Sequence, residues 1–144
     1  MAAPLPTTPP PGPDGAAGSG CTPGGETLAD GVWFGLVTGA DEHQLEFDLA
    51  CWFTGDAAAT AAAEDGQESP PPNDYYVRNA NPLIRTLPVD PAAQVLWYPD
   101  GDPNSFSTGG YADWLAARDG TFPFGVWVRV QSGRVVTITE QWVP

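Results

Sequence analysis

The chain has no lysine, one histidine and two cysteines in 144 residues, and each shortage removes a class of function. All five basic residues are arginines (Arg78, Arg85, Arg118, Arg129, Arg134), set against 18 acidic residues for a net charge of −13. Such a chain repels phosphate backbones and anionic headgroups, and no two arginines are adjacent to offset that locally. Nucleic acid and bare membrane surface are therefore poor partners, and the acidity reads as a solvated surface. Zinc needs four ligands, and Cys21, Cys51 and His43 supply three. With one histidine, Ser/His and Cys/His triads have little support, and nucleophile elbows and glycine-rich phosphate loops are missing. No metal and no cofactor are expected. No run of about 20 apolar residues exists, so no transmembrane segment is expected. Residues 1–20 also lack the basic start and the apolar stretch of about 7–15 residues of a secretory signal. Gly18-Ser19-Gly20-Cys21 is a faint match to a lipoprotein cleavage site, without the aliphatic residue three positions before the cysteine.

What is present points to one small domain. Apolar residues make up 42% and aromatics 11%, including six tryptophans, enough to bury a core without a metal. From Ala2 to Gly25 the chain is mostly Pro, Gly, Ala, Ser and Thr with almost no charge, so residues 1–26 read as a disordered leader or tether and the domain runs over 27–144. Cys21 and Cys51, thirty positions apart, are too distant for a redox C-x-x-C pair. A disulfide between them would contribute roughly 3 kcal/mol through loop closure and imply an oxidising compartment. The alternative is two free buried thiols.

The run Val32-Trp33-Phe34-Gly35-Leu36-Val37 is β-branched and aromatic, and predicts a central strand with Gly35 at a bulge or sharp coil. Leu45, Phe47 and Leu49 alternate with Glu46 and Asp48, a strand with one wet face, so the two form a hairpin around a polar turn that holds His43. Asp56 as N-cap and Gly66 as terminator bracket a short Ala-rich helix. An extended stretch follows through Tyr75, Tyr76 and Val77. Pro82 and Pro88 limit Arg85–Val89 to a short or edge strand, Gln94–Tyr98 is a further strand, and Tyr111–Arg118 a second helix. Phe124, Val126, Val128 and Val130, a Ser132-Gly133 turn, then Val136, Ile138 and Trp142 predict a closing hairpin. The sum is a mainly β, β-rich α+β fold: a small, partly closed antiparallel barrel of the oligonucleotide/oligosaccharide-binding (OB-like) type with two short helices. An open α+β sheet is the alternative.

Few residues suggest a site. Asp100, Asp102 and Asn104 begin like a calcium loop, but the glycine and glutamate that should complete it are Ser105 and Tyr111. Tyr75, Tyr76, Trp97, Tyr98 and Trp114 could form a stacking platform or belong to the core. Asp74 and Arg78, within Asn73–Asn79, suggest a polar network or a ligand anchor, with Arg85 pairing a nearby acid. The candidate ligand-binding residues are thus Asp74, Tyr75, Tyr76, Arg78, Trp97 and Tyr98, with no catalytic residue.

The segments Phe47–Gly55, Ala63-Glu64-Asp65-Gly66, Pro72–Asn79, Asn81-Pro82 and Arg85–Val89 together resemble uncharacterised exported proteins and lipoproteins of high-GC Gram-positive (actinobacterial) bacteria. The resemblance spans about Cys21 to Pro144. It implies an envelope or extracellular location and supports the disulfide, and it brings no activity to carry over. The departure is the missing signal peptide. The expectation is an exported, non-enzymatic binding or accessory module for an envelope glycan, peptide or protein. Two alternatives stand beside it: a carboxylate-based hydrolase acting on a cell-wall or polysaccharide substrate, and a cytoplasmic interaction domain with free thiols.

Overall fold

The structure is a computed structural model, and it describes residues 9–144. In chain order it contains strands β1 (Gly31–Ala40), β2 (Gln44–Leu49) and β3 (Cys51–Thr54), helix α1 (Gly55–Glu64), strands β4 (Tyr75–Arg78), β5 (Ile84–Trp97) and β6 (Ser107–Gly110), helix α2 (Tyr111–Arg118), and strands β7 (Val126–Gln131) and β8 (Arg134–Glu140). β1 pairs with β2 and β7, β7 with β8, β8 with β5, and β5 back with β2, so five strands close into a barrel. This is the OB-like architecture that the alternation predicts, with two corrections. Closure is complete, and the β5–β8 pair is parallel, whereas the sequence suggested antiparallel pairing throughout. The parallel pair follows from the Greek-key path. After β5 the chain crosses the barrel end through α2, enters β7 beside β1, and the β7–β8 hairpin returns β8 alongside β5.

The interior is filled by the inward positions of each strand: Leu45, Phe47 and Leu49 from β2, Leu87, Val89 and Val95 from β5, and Val126, Val128 and Val130 from β7, all buried. In β8 the buried apolar residues are Val135 and Ile138, not the Val136 that strict alternation predicts, because a register irregularity at Arg129/Val130 changes the phase. Gly35 is not at a bulge. It pairs regularly with Leu49 and Val126, and the irregularity in β1 falls between Val37 and Gly39. Its role is steric: a Cβ there would lie 2.5 Å from Cζ of Phe47, whose ring crosses the strand at this point.

β5 departs most from expectation. The segment Arg85–Val89 is the first half of a 14-residue strand, not a short edge. The prolines are tolerated because β5 changes partners there. Its first half pairs with β2 and its second with β8 and β6, and the register jump between Val89 and Gln94 absorbs Pro91. Pro88 faces Gln44, the first residue of β2, and the next amide, Val89 N–H, still donates to the His43 carbonyl. The closing turn matches its sequence: Ser132 and Gly133 both have positive φ, 52° and 78°, as a two-residue type I′ hairpin needs. Phe124 and Trp142 lie outside β7 and β8.

The helices close the barrel's flanks. α1 turns Ala58, Ala61 and Ala62 inward beside β3 and β4, a two-stranded sheet of its own. Asp56 sits in the first turn, where it favours the helix dipole, while the cap position is Thr54. α2 buries Tyr111 and Trp114 against β5 and β6.

Residues 1–8 of the expected leader lie outside the described residues, but 9–26 do not hang free. This strap crosses the barrel's outer face. Ala17 N–H donates to the Trp52 carbonyl at 2.9 Å, Ser19 N–H to the Val32 carbonyl at 2.8 Å, and Val32 N–H to Ser19 Oγ at 2.9 Å. Its composition cannot make a core, yet a core built elsewhere can bind its backbone. Cys21 and Cys51 are bridged, with Cα atoms 5.2 Å apart, which fixes the strap to the start of β3.

Candidate functional site

The residues marked by the sequence fall into three separate places. Tyr76 and Arg78 staple α1. Tyr76 Oη donates to Asp65 Oδ2 at 2.8 Å, Arg78 Nε to the same oxygen at 2.9 Å, and Arg78 Nη2 to Glu64 Oε1 and the Ala61 carbonyl, both at 3.1 Å. Helix α1 ends on two acids with no basic residue in its last turn, an unfavourable arrangement for its dipole, and Arg78 supplies the missing cation from β4. Arg78 and then Tyr76 hold the Asp65 carboxyl below the usual range, while Asp65 and Glu64 hold the guanidinium up. Asp74, with φ 61°, only turns the chain into β4. Trp97 points into the barrel core. Arg85, expected to meet an acid, is 1% exposed and instead donates to the strap carbonyls of Gly25 and Pro23 at 2.9 and 2.8 Å.

Tyr75 joins a second apolar cluster outside the barrel. Phe34 and Trp127 face outward from β1 and β7, with ring centroids 5.1 Å apart, and Trp52 of β3 lies 5.3 Å from Phe34. Tyr75 stacks on Trp52 at 4.8 Å with the rings 11° from parallel. The strap residue Ala17 packs into the same cluster, so this face is closed.

The cluster runs to Phe124, which is 38% exposed, and there a groove opens. Two adjoining hollows of about 250 and 160 Å³ share Tyr98, Glu140, Gln141 and Trp142; Pro99, Pro123 and Phe124 wall the larger, and Pro103, Trp127 and Thr139 the smaller. The floor is an ion pair. Glu140, 2% exposed at the end of β8, accepts from Tyr98 N–H at 3.0 Å, Trp114 Nε1 at 2.8 Å, and Arg118 Nε at 2.7 Å and Nη2. Arg118 also donates to the Tyr98 carbonyl at 3.0 Å. A buried carboxylate so fully bonded is a structural anchor, locking α2 to β8. The walls are equally self-satisfied: Trp142 Nε1 donates to the Gly101 carbonyl at 2.7 Å, Trp127 Nε1 to Gln141 Oε1 at 2.8 Å, and Gln141 Nε2 to the Trp142 carbonyl at 2.8 Å. The Tyr98 side chain is 6% exposed, its phenol pKa is raised by burial and by Glu140, and no described residue bonds its hydroxyl.

Of the residues picked from sequence, the structure brings Tyr98 to this groove and Tyr75 to its border at Phe124. Phe124, Gln141 and Trp142 were missed as site residues, because alternation carried Phe124 and Trp142 into the flanking strands. One signal was available: Glu140 falls two residues after Ile138, on the inward phase of an apolar strand, where a charge demands a partner.

A further hollow of about 360 Å³ lies over the disulfide; it offers one aromatic ring, Phe53, which Arg78 covers, and of its polar side chains Arg78 is held by α1, Asn81 by the Pro23 carbonyl and Asp14 by the amides of Ala16 and Cys21, with Thr22 exposed. The Asp100–Ser105 segment is an ordinary turn, with Asp102 Oδ1 accepting from Asn104 N–H at 2.9 Å. His43 is exposed in its turn beside Glu42. Among the described residues no three metal-binding side chains converge, and no helix is long and apolar enough to cross a membrane. The fold and groove thus define an OB-type barrel carrying an aromatic cleft on its outside. No protein-family model matches the chain, and neither a curated protein nor a solved structure is significantly similar to it.

Proposed function

We propose that the chain is an exported, non-enzymatic binding module of the cell envelope, and that its ligand lies in the groove between Phe124 and Trp142. The observation that carries this is an open aromatic cleft on a rigid, internally satisfied floor, the kind of preformed concave surface that binds without rearranging. The disulfide suits an oxidising compartment. The face that OB barrels use for nucleic acids, the outside of β2 and the first half of β5, carries Glu46, Asp48, Thr86 and Pro88 here and no aromatic residue, which favours a ligand of another kind. Hydrolysis by a carboxylate pair needs two facing acids. The buried carboxylate, Glu140, is spent on Arg118, Trp114 and Tyr98, so binding without chemistry is the better reading.

Retention on envelope material isolated from a high-GC Gram-positive bacterium tests this. The protein is expected to be retained, Trp142→Ala and Phe124→Ala to lose retention, and no reducing sugar or free amine to be released on prolonged incubation. Retention unchanged in both variants would place the site elsewhere, and steady product release would make the protein an enzyme.

A further inference from the structure

Building on the groove reading above, we infer that the occupant is an extended, proline-containing basic peptide segment of a partner protein. Three observations converge on that chemistry. The groove is two hollows in series that share Trp142 and Tyr98, a shape for a chain presenting successive residues rather than one compact molecule. Its walls are proline and aromatic faces, Pro99, Pro103, Pro123, Phe124 and Trp142, against which proline rings pack, and an already extended polyproline helix loses little entropy on docking.

The polar groups argue against a saccharide. Sugar hydroxyls need several free donors and acceptors, yet the Trp142 indole, both ends of the Gln141 amide and the Glu140 carboxylate are already engaged within the protein. Two hydroxyls remain, those of Tyr98 and Thr139, enough for one or two peptide carbonyls.

The third observation is charge. Among the described residues the one cation lining the groove, Arg118, is neutralised by Glu140, while Asp100 and Asp102 on the wall loop and Asp119 beyond Arg118 are exposed and no described cation pairs with them. Of the other arginines, Arg78 and Arg85 are held elsewhere and Arg129 and Arg134 flank the β7–β8 turn. The rim therefore attracts a basic side chain.

The test is a nitrogen-15 NMR titration of the intact chain with four probes: a twelve-residue Pro-Pro-Arg repeat, its Pro-Pro-Glu and Ala-Ala-Arg counterparts, and the N-acetylglucosamine tetramer. The Pro-Pro-Arg peptide should shift the Trp142 indole and the Tyr98 amide, bind at least about tenfold more tightly than either counterpart, and weaken about tenfold in Trp142→Ala. Phe124→Ala serves as the second variant, and Asp100→Asn with Asp102→Asn should weaken binding about threefold and flatten its salt dependence. Equal binding of Ala-Ala-Arg or Pro-Pro-Glu would overturn the inference. Groove shifts with the saccharide alone would also overturn it, while leaving the groove as the site. Peptide shifts confined to other surfaces, or none with any probe, would overturn the groove reading itself.

Discussion

Two aromatic surfaces lie outside the barrel and differ in one respect, whether the chain returns to cover them. Phe34 and Trp52 are sealed by the strap through Ala17 and by Tyr75 from β4, while Trp127 packs on Phe34 and also lines the smaller hollow of the groove. Phe124 and Trp142 border the groove, and Phe106, 48% exposed, lies 6.5 Å from the Tyr98 ring. The residue types are the same, so composition does not separate core from site here. Coverage does. The sealed face acts as a second hydrophobic core, whereas the open face keeps its apolar area in reach of a ligand.

The sharpest way to break that contrast is to truncate one tryptophan on each side. Trp52→Ala should lower stability by about 3–5 kcal/mol, the usual cost of emptying a packed aromatic site. Trp142→Ala should cost less, about 1–2 kcal/mol, because the side chain is only partly buried and follows the last strand. Urea unfolding of both variants reads the difference directly. Equal losses would mean that the groove wall is core, and the site assignment would fall.

The second prediction separates the strap from the groove. Replacing Cys21 and Cys51 together by serine should cost about 2–4 kcal/mol, as expected for opening a loop of this length. It should also make residues 9–26 susceptible to limited proteolysis and redden the emission of Trp52 and Trp127, while Pro-Pro-Arg binding survives at temperatures where the barrel stays folded. Loss of binding in a folded double mutant would show that the two faces are coupled and not merely adjacent.

What the sequence disclosed follows from where its signals are local. β1, β2, β7 and α2 were legible because alternation, glycine turns and helix formers lie within each segment. β5 was not, since Pro82 and Pro88 read as breakers until the change of partner strands shows how one strand runs through Pro88 and Pro91. The strap was illegible because its proline and glycine give no pattern, and what orders it is hydrogen bonding to β1 and β3 and the Cys21–Cys51 bridge. The site was half legible: Tyr75 and Tyr98 were the right kind of residue, but their grouping depends on Phe124 and Trp142, which strand alternation absorbed.

A third experiment asks on which side of the contrast β4 belongs, since it sends Tyr75 to the sealed face and Tyr76 and Arg78 to α1. The α2 end offers a control: the Tyr111 hydroxyl donates to the carbonyls of Asp41 and Gln44, and burial raises its pKa. A raised pKa contributes stability below the unfolded value that is lost as pH climbs through the folded one. Spectrophotometric titration should therefore show Tyr111 ionising last, after Tyr76 and Tyr98, whose phenols burial also raises, and Tyr111→Phe should remove the final step.

The smallest effect belongs to the staple itself. Asp65 has a folded pKa below its ordinary 3.8, so folding favours the ionised carboxylate. Its contribution is present above the unfolded value and is lost as pH falls through the folded one. Asp65→Asn should therefore lower the urea midpoint slightly at neutral pH, and the gap to the natural chain should close in acid. It should also narrow in high salt, because the pair is partly exposed and solvent screens it. If β4 is structural, the substitution leaves Pro-Pro-Arg binding unchanged. A change in affinity without a change in stability would instead make Arg78 a ligand anchor and move the functional surface from the groove to the α1–β4 side of the barrel.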